Sequence, residues 1–181
     1  MAMLPATAQA ALSPSSSPPA SLLVVGLGNP ILGDDGVGWK VAEEVARRLK
    51  ETGASTAPSV RVECLSLGGL SLMEQLIGCR RAILVDACAV DLPPGTVFTA
   101  GLDELPDRSG RHTSSAHDAS LQTAMAVGRA MGEPLPEEVT LVGIASEALY
   151  EFSEVLTPEV AASIPEAAQR VLDLIFTGGV T

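Results

Sequence analysis

Aromatic residues make up only 3% of this 181-residue chain: one Trp, one Tyr and three Phe. Its core must therefore be assembled from Val, Leu, Ile and Ala, and a 46% hydrophobic content at this length suits one domain of ordinary size. Basic residues are scarce too, with 11 Lys and Arg against 22 Asp and Glu and a formal net charge of −11. Binding to phosphate backbones or anionic membrane surfaces needs clustered Lys and Arg, so nucleic acid and membranes are poor partners. A cation or a basic protein segment fits better. No apolar run approaches the roughly 18 residues of a membrane-crossing helix. The three cysteines, Cys64, Cys79 and Cys88, are odd in number and form no C-x-x-C pair. That pattern suits free thiols in a reducing cytoplasm. Residues 1–20 are rich in Ala, Ser and Pro and carry no charge. They lack the basic start and unbroken apolar stretch of a secretory signal. A disordered extension over 1–20 is expected, then one domain over 21–176 and a tail over 177–181.

What the chain does have is the stretch Gly26-Leu27-Gly28-Asn29-Pro30-Ile31-Leu32-Gly33-Asp34-Asp35-Gly36-Val37-Gly38. It follows an apolar run, Ser21–Val25, that reads as a buried strand. It precedes Val37–Glu51, where Val37, Val41, Val45 and Leu49 recur at helical spacing beside Ala42 and Ala46. A loop from strand to helix lies at the carboxyl end of the strand, where open α/β sheets bind ligands. The glycines do not fit a phosphate cradle. A dinucleotide fingerprint needs glycine where Ile31 stands, and a Walker loop needs Gly-Lys-Ser/Thr. Asp34 and Asp35, with no Lys or Arg nearby in the loop, suit a cation instead. A competing role is to cap the helix that begins near Val37, and the adjacent pair is expected to divide into one of each.

Strands and helices then alternate. Strands are expected at Val60–Leu67, Arg81–Ala87 and Val139–Ile144, with Thr96–Ala100 returning antiparallel after the Pro93-Pro94-Gly95 turn. Helices are expected at about 70–77, at about 118–131 with Leu121, Met125, Val127 and Gly128 inward, and from the Thr157-Pro158-Glu159 start onward. Val160, Ile164, Ala168, Val171, Leu172 and Ile175 would form the inner face of that last helix. The fold class is thus single-domain α/β, a mainly parallel sheet of about five strands with helices on both faces.

If the first and third strands are neighbours, Asp35 and Asp86 meet on one edge of the sheet. A strand-end aspartate that merely caps a neighbouring loop is the competing role for Asp86. The chain holds two histidines, His112 and His117. Either could add an imidazole to the two carboxylates, and such a set suits Ni, Zn, Mn or Fe with open positions. His117 stands directly before the helix expected at Asp118 and is the better placed.

At these residues the sequence resembles the hydrogenase maturation endopeptidases, which trim the large subunit of [NiFe] hydrogenases. The resemblance rests on the Gly26–Gly38 stretch, Val85-Asp86-Ala87 with Pro94-Gly95-Thr96, Ser115-Ala116-His117, Leu141-Val142-Gly143-Ile144 and Leu156-Thr157-Pro158-Glu159-Val160, in that order. It implies a metal trio of Asp35, Asp86 and His117, with Asp35 and Asp86 also close to the chemistry. It implies an aspartyl-type endopeptidase whose partner is a hydrogenase large-subunit precursor. Nickel would arrive with that substrate and serve as the recognition element, and cadmium or zinc are expected to occupy the site in vitro. The family often carries a proline soon after the Leu-Val-Gly-Ile strand, where this chain has Ala145-Ser146.

Other readings make distinct demands. A cysteine hydrolase would pair Cys88 with His117, although no nucleophile signature surrounds Cys88. Ser114 and Ser115 lack a Gly-x-Ser-x-Gly elbow. Peptidyl-tRNA hydrolases also open on Gly-Leu-Gly-Asn-Pro but continue differently, and an acidic chain suits tRNA poorly. A nickel-binding maturation chaperone would use the same ligands without cutting.

Overall fold

All six residues of strand β1 (Leu22–Leu27) are buried, as a strand covered on both faces must be. The structure, a computed structural model, describes residues 21–52, 60–104, 120–149 and 152–177. After β1 come a 3-10 turn (Gly33–Gly36), α1 (Val37–Glu51), β2 (Val60–Leu65), α2 (Gly69–Leu76), β3 (Arg81–Cys88) and β4 (Val97–Gly101). A second 3-10 turn (Leu102–Glu104), α3 (Leu121–Ala130), β5 (Glu138–Ala145) and α4 (Pro158–Thr177) follow. Among the described residues the strands form one five-stranded sheet in the order β2-β1-β3-β5-β4. Strand β4 runs antiparallel to β5, and the other neighbours are parallel. The chain is therefore the mainly parallel α/β domain that its alternating pattern implies.

The period-2 alternation of the strands sorts the core onto two faces. Leu22, Val24, Ile83, Val85, Val142 and Ile144 pack toward α1 and α4. Leu23, Val25, Ala82, Leu84 and Leu141 pack toward α2 and α3. Of the expected stripe on α1, Val37, Val41, Ala42 and Val45 are fully buried, while Ala46 and Leu49 are partly buried. Each such Val contributes about 1.5–3 kcal/mol at most, which is how a core almost without aromatics holds. Helix α4 buries Val160, Ala168, Val171 and Leu172 in the same way. Among the described residues, no helix is long and apolar enough to cross a membrane.

Two local expectations fail. Val127 is 45% exposed instead of inward. The buried stripe of α3 is Ala124, Met125 and Gly128, and position 127 lies about 200° around the helix from Met125. Neither aspartate of the glycine loop caps α1, because no side chain caps that helix or the 3-10 turn before it. Asp34 is turned toward the start of α4 instead.

The site depends on how α1 meets the sheet. β1 and β3 are direct neighbours, with Gly26 in register with Val85. A Cβ on Gly38 would come within 2.5 Å of the Val85 carbonyl oxygen and 2.9 Å of the Leu27 nitrogen. Only glycine lets the first turn of α1 rest on the carboxyl ends of both strands.

Candidate active site

The loop between β1 and α1 folds around Asp35. Gly28 has φ of +118° and Gly33 of +57°, conformations open to glycine at little cost. A Cβ at Gly28 would overlap the Asp35 carbonyl, so the chain passes itself with no room for a side chain. The backbone N–H of Asn29 donates to Asp35 Oδ2 at 2.6 Å, and the Ile31 N–H donates to Asn29 Oδ1 at 3.2 Å. Among the described residues, Asn29 is the one hydrogen-bond partner of the Asp35 carboxylate, and Oδ1 has none. Asp35 is half-buried. That burial pushes its carboxyl above the ordinary 3.8, and the Asn29 hydrogen bond offsets part of the rise. An anionic oxygen that is fixed at one end and open at the other can hold a cation or take a proton from water.

Asp86 lies in the last turn of the pleat in β3, one residue beyond the Gly26–Val85 pair. The 3-10 turn that carries Asp35 packs against β3. Both acids are therefore on the carboxyl edge of adjacent strands. By alternation with Leu84 and Cys88, Asp86 is directed to the α2/α3 face. It is in register with Gly143 of β5, which is in register with Phe98 of β4. A Cβ on Gly143 would come within 2.6 Å of Phe98 Cε1. The Phe98 ring thus covers the glycine and makes an apolar wall on the side of Asp86. Glycine inside an otherwise apolar strand is the signal that could have revealed this close approach.

Asp34 plays a part that its sequence context does not show. It is 1% exposed and accepts three hydrogen bonds. Ser146 Oγ donates to Oδ2 at 2.7 Å, Thr157 Oγ1 to Oδ2 at 2.9 Å and the Thr157 backbone N–H to Oδ1 at 2.7 Å. Ser146 follows β5 and Thr157 precedes α4, so one carboxylate joins the glycine loop to both elements. The partners lie 112 and 123 residues away, beyond the reach of a local motif.

His117 and His112 lie outside the described residues, as does Asp118 at the expected helix start. Helix α3 begins after Ser120, whose Oγ accepts from the Thr123 N–H at 3.2 Å. The far end of α3 leads to Pro134, whose carbonyl accepts from Gly78 N–H at 2.7 Å just before β3 starts. The start of α3 therefore faces the carboxyl edge, on the sheet face of Asp86. Among the described residues no group of three His, Cys, Asp or Glu side chains could by itself hold a metal. Two carboxylates on one edge are hard, anionic donors of the kind that suits a divalent cation. Cys88 is 4% exposed within the α2/α3 core, and its thiol makes a long 3.9 Å contact to the Asp86 carbonyl. Its burial suits a core filler better than a nucleophile.

Comparison with known proteins follows the same lines. The family model described as hydrogenase maturation protease matches residues 39–174. The hydrogenase expression/formation protein HupD of Rhodobacter capsulatus is 32% identical over 86% of this chain and 72% of its own length. The hydrogenase 2 maturation protease of Escherichia coli is 31% identical, over 88% of this chain and 93% of its own. The solved structure of the hydrogenase maturating endopeptidase HybD from E. coli superposes with a TM-score of 0.68 at 28% identity, covering 87% of this chain and 93% of that one. The [NiFe] hydrogenase maturation protease HybD of Thermococcus kodakarensis gives 0.56 at 26% identity, covering 84% and 97%.

Proposed function

Because this chain belongs to the hydrogenase maturation proteases and is a peptidase, we propose that it removes a C-terminal peptide from the nickel-loaded precursor of a [NiFe] hydrogenase large subunit. Nickel carried by that precursor is the recognition element, and Asp35 and Asp86 receive it. The observation that carries the reading is the state of Asp35: one oxygen is held by the Asn29 N–H and the other is open, on the carboxyl edge beside the strand of Asp86. His117 is proposed as the third donor on the strength of the resemblance at Ser115-Ala116-His117.

Within this reading the chain's own groups have distinct tasks. A divalent ion between substrate and protease would polarise a nearby carbonyl or water. Asn29 fixes the direction of the Asp35 carboxylate, so little reorganisation is needed when substrate arrives. If nickel only positions the precursor on the other donors, the open Asp35 oxygen can instead take a proton from the attacking water, and burial, which makes it more basic than an ordinary aspartate, suits it to that. The Phe98 ring covers Gly143, the residue in register with Asp86, and adds apolar surface on that side. A reducing, cytoplasmic setting for the reaction is supported by the free thiols of Cys64, Cys79 and Cys88.

Incubating the protein with a large-subunit precursor and weighing the product tests this. A precursor shortened by a C-terminal peptide is the expected result. An intact precursor that has given up or gained nickel would identify a metal-handling chaperone instead.

A further inference from the structure

Ser146 bonds to the two segments that carry the site acids. Its hydroxyl donates to Asp34, the immediate neighbour of Asp35, at 2.7 Å. Its backbone N–H donates to the Cys88 carbonyl, two residues beyond Asp86, at 2.9 Å. Its Oγ also accepts from the Ala148 N–H at 3.1 Å, which fixes the hydroxyl proton on the Asp34 side. Ser146 is 2% exposed, so neither bond competes with water.

We infer that Asp34 and Ser146 are positioning residues that set the placement of Asp35 relative to Asp86, with Thr157 as the second anchor of Asp34. This rests on the reading above that Asp35 and Asp86 act together. The glycine loop depends on such an anchor, since Gly28, Gly33, Gly36 and Gly38 supply no side chains of their own to hold it. Local bonds within the loop orient Asp35 toward Asn29 but do not tie it to β3. The Asp34–Ser146–Cys88 path does so through two short hydrogen bonds. A parallel tie supports it: Leu32 pairs with Ser153, where the Gly33 N–H donates to the Ser153 carbonyl at 2.7 Å and the Ser153 N–H to the Ile31 carbonyl at 3.2 Å. That tie holds the loop to the segment before α4 and leaves its distance from β3 unset. Asp34 is well suited chemically, because a carboxylate is acceptor-only and all three of its partners are donors. Its two oxygens are consumed, so it contributes placement and not ligation.

The test uses Ser146→Ala and Thr157→Val, which each remove one hydroxyl and keep the backbone N–H bonds, with Thr157→Ser as the conservative variant. Cadmium titration of the purified protein, precursor turnover and thermal melting are measured on each. Supporting groups behind metal ligands typically change affinity about 10- to 100-fold. Ser146→Ala and Thr157→Val are expected to weaken cadmium binding about tenfold and lower kcat to a similar degree, with KM for the precursor little changed. Thr157→Ser is expected to match the wild type. Variants that melt lower but bind cadmium and turn over like the wild type would reduce the clamp to a purely structural one and overturn the inference. So would a Thr157→Ser as impaired as Thr157→Val. If Ser146→Ala fails to fold, Thr157→Val decides. A wild type that cleaves but binds no cadmium contradicts the metal reading alone, and kcat then judges the clamp. A wild type that does neither removes both.

Discussion

Asp34 and Asp35 share a peptide bond, yet one is sealed among three donors and the other keeps an open oxygen. The difference has an energetic consequence at Asp35. Its folded carboxyl is raised above the ordinary 3.8 by burial, so the native state holds that proton more tightly than the unfolded chain does. Stability contributed by the protonated form is complete below about 3.8 and is lost as pH rises through the folded value. At neutral pH the ionised group is therefore a cost in the metal-free protein. Asp35→Asn, which keeps an acceptor for Asn29, is expected to melt at or above the wild type at pH 7, with the gap closing as pH falls below 4. Calorimetry across that range checks it, and a clearly lower melting temperature at pH 7 would contradict it. A divalent metal should raise the melting temperature of the wild type and leave Asp35→Asn unmoved. Asp86→Asn and His117→Ala are expected to abolish processing, whereas His112→Ala and Cys88→Ala retain it. Loss in Cys88→Ala without loss of fold would return attention to the thiol. Asp35 was legible as a candidate because two adjacent acids on a glycine turn after a buried strand suit a cation, with helix capping as the competing role. The role of Asp34 was not, since its partners Ser146 and Thr157 lie in another part of the chain.

Secondary structure was most legible where burial is one-sided and regular. The Val37–Val41–Val45 stripe of α1 defines its bounds, and the Thr157-Pro158 start defines α4, because each helix has one face to satisfy. It was least legible at α3, where Gly128 lies inside the helix and Val127 beside it is exposed. There the inner face is set by contact with α2: a Cβ on Gly128 would come within 2.8 Å of Leu135 Cδ1 and 3.0 Å of the Met73 sulfur. The glycines between elements support further expectations. Gly38→Ala should destabilise by more than about 2 kcal/mol, since the new methyl meets backbone that cannot yield. Gly143→Ala meets the Phe98 ring instead, which can swing away. It is expected to cost about 1–3 kcal/mol and to lower processing by moving the wall beside Asp86. In a Gly143→Ala/Phe98→Ala double variant the two costs should fall short of their sum, because the clash is gone. Denaturant unfolding of the four proteins measures this, and strictly additive costs would mean that the ring does not bear on Gly143.

Across the whole molecule, the order β2-β1-β3-β5-β4 is what joins the parts. Chain order alone does not make β1 and β3 neighbours; the crossover through β2 does, and it places Asp86 beside the loop of Asp35. The parallel layout was legible from alternating strands and helices, and the antiparallel β4 from the Pro93-Pro94-Gly95 turn. The placing of both acids on one edge was legible only as a condition on that strand order. The net charge of −11 agrees with a site that attracts a cation borne by another protein. The most direct measurement is a side-by-side incubation of nickel-loaded and nickel-free precursor with wild type and with Asp35→Asn, followed by mass spectrometry. The account predicts that only the nickel-loaded precursor is shortened, and only by the wild type. Equal cleavage of both precursors, or undiminished cleavage by Asp35→Asn, would contradict it.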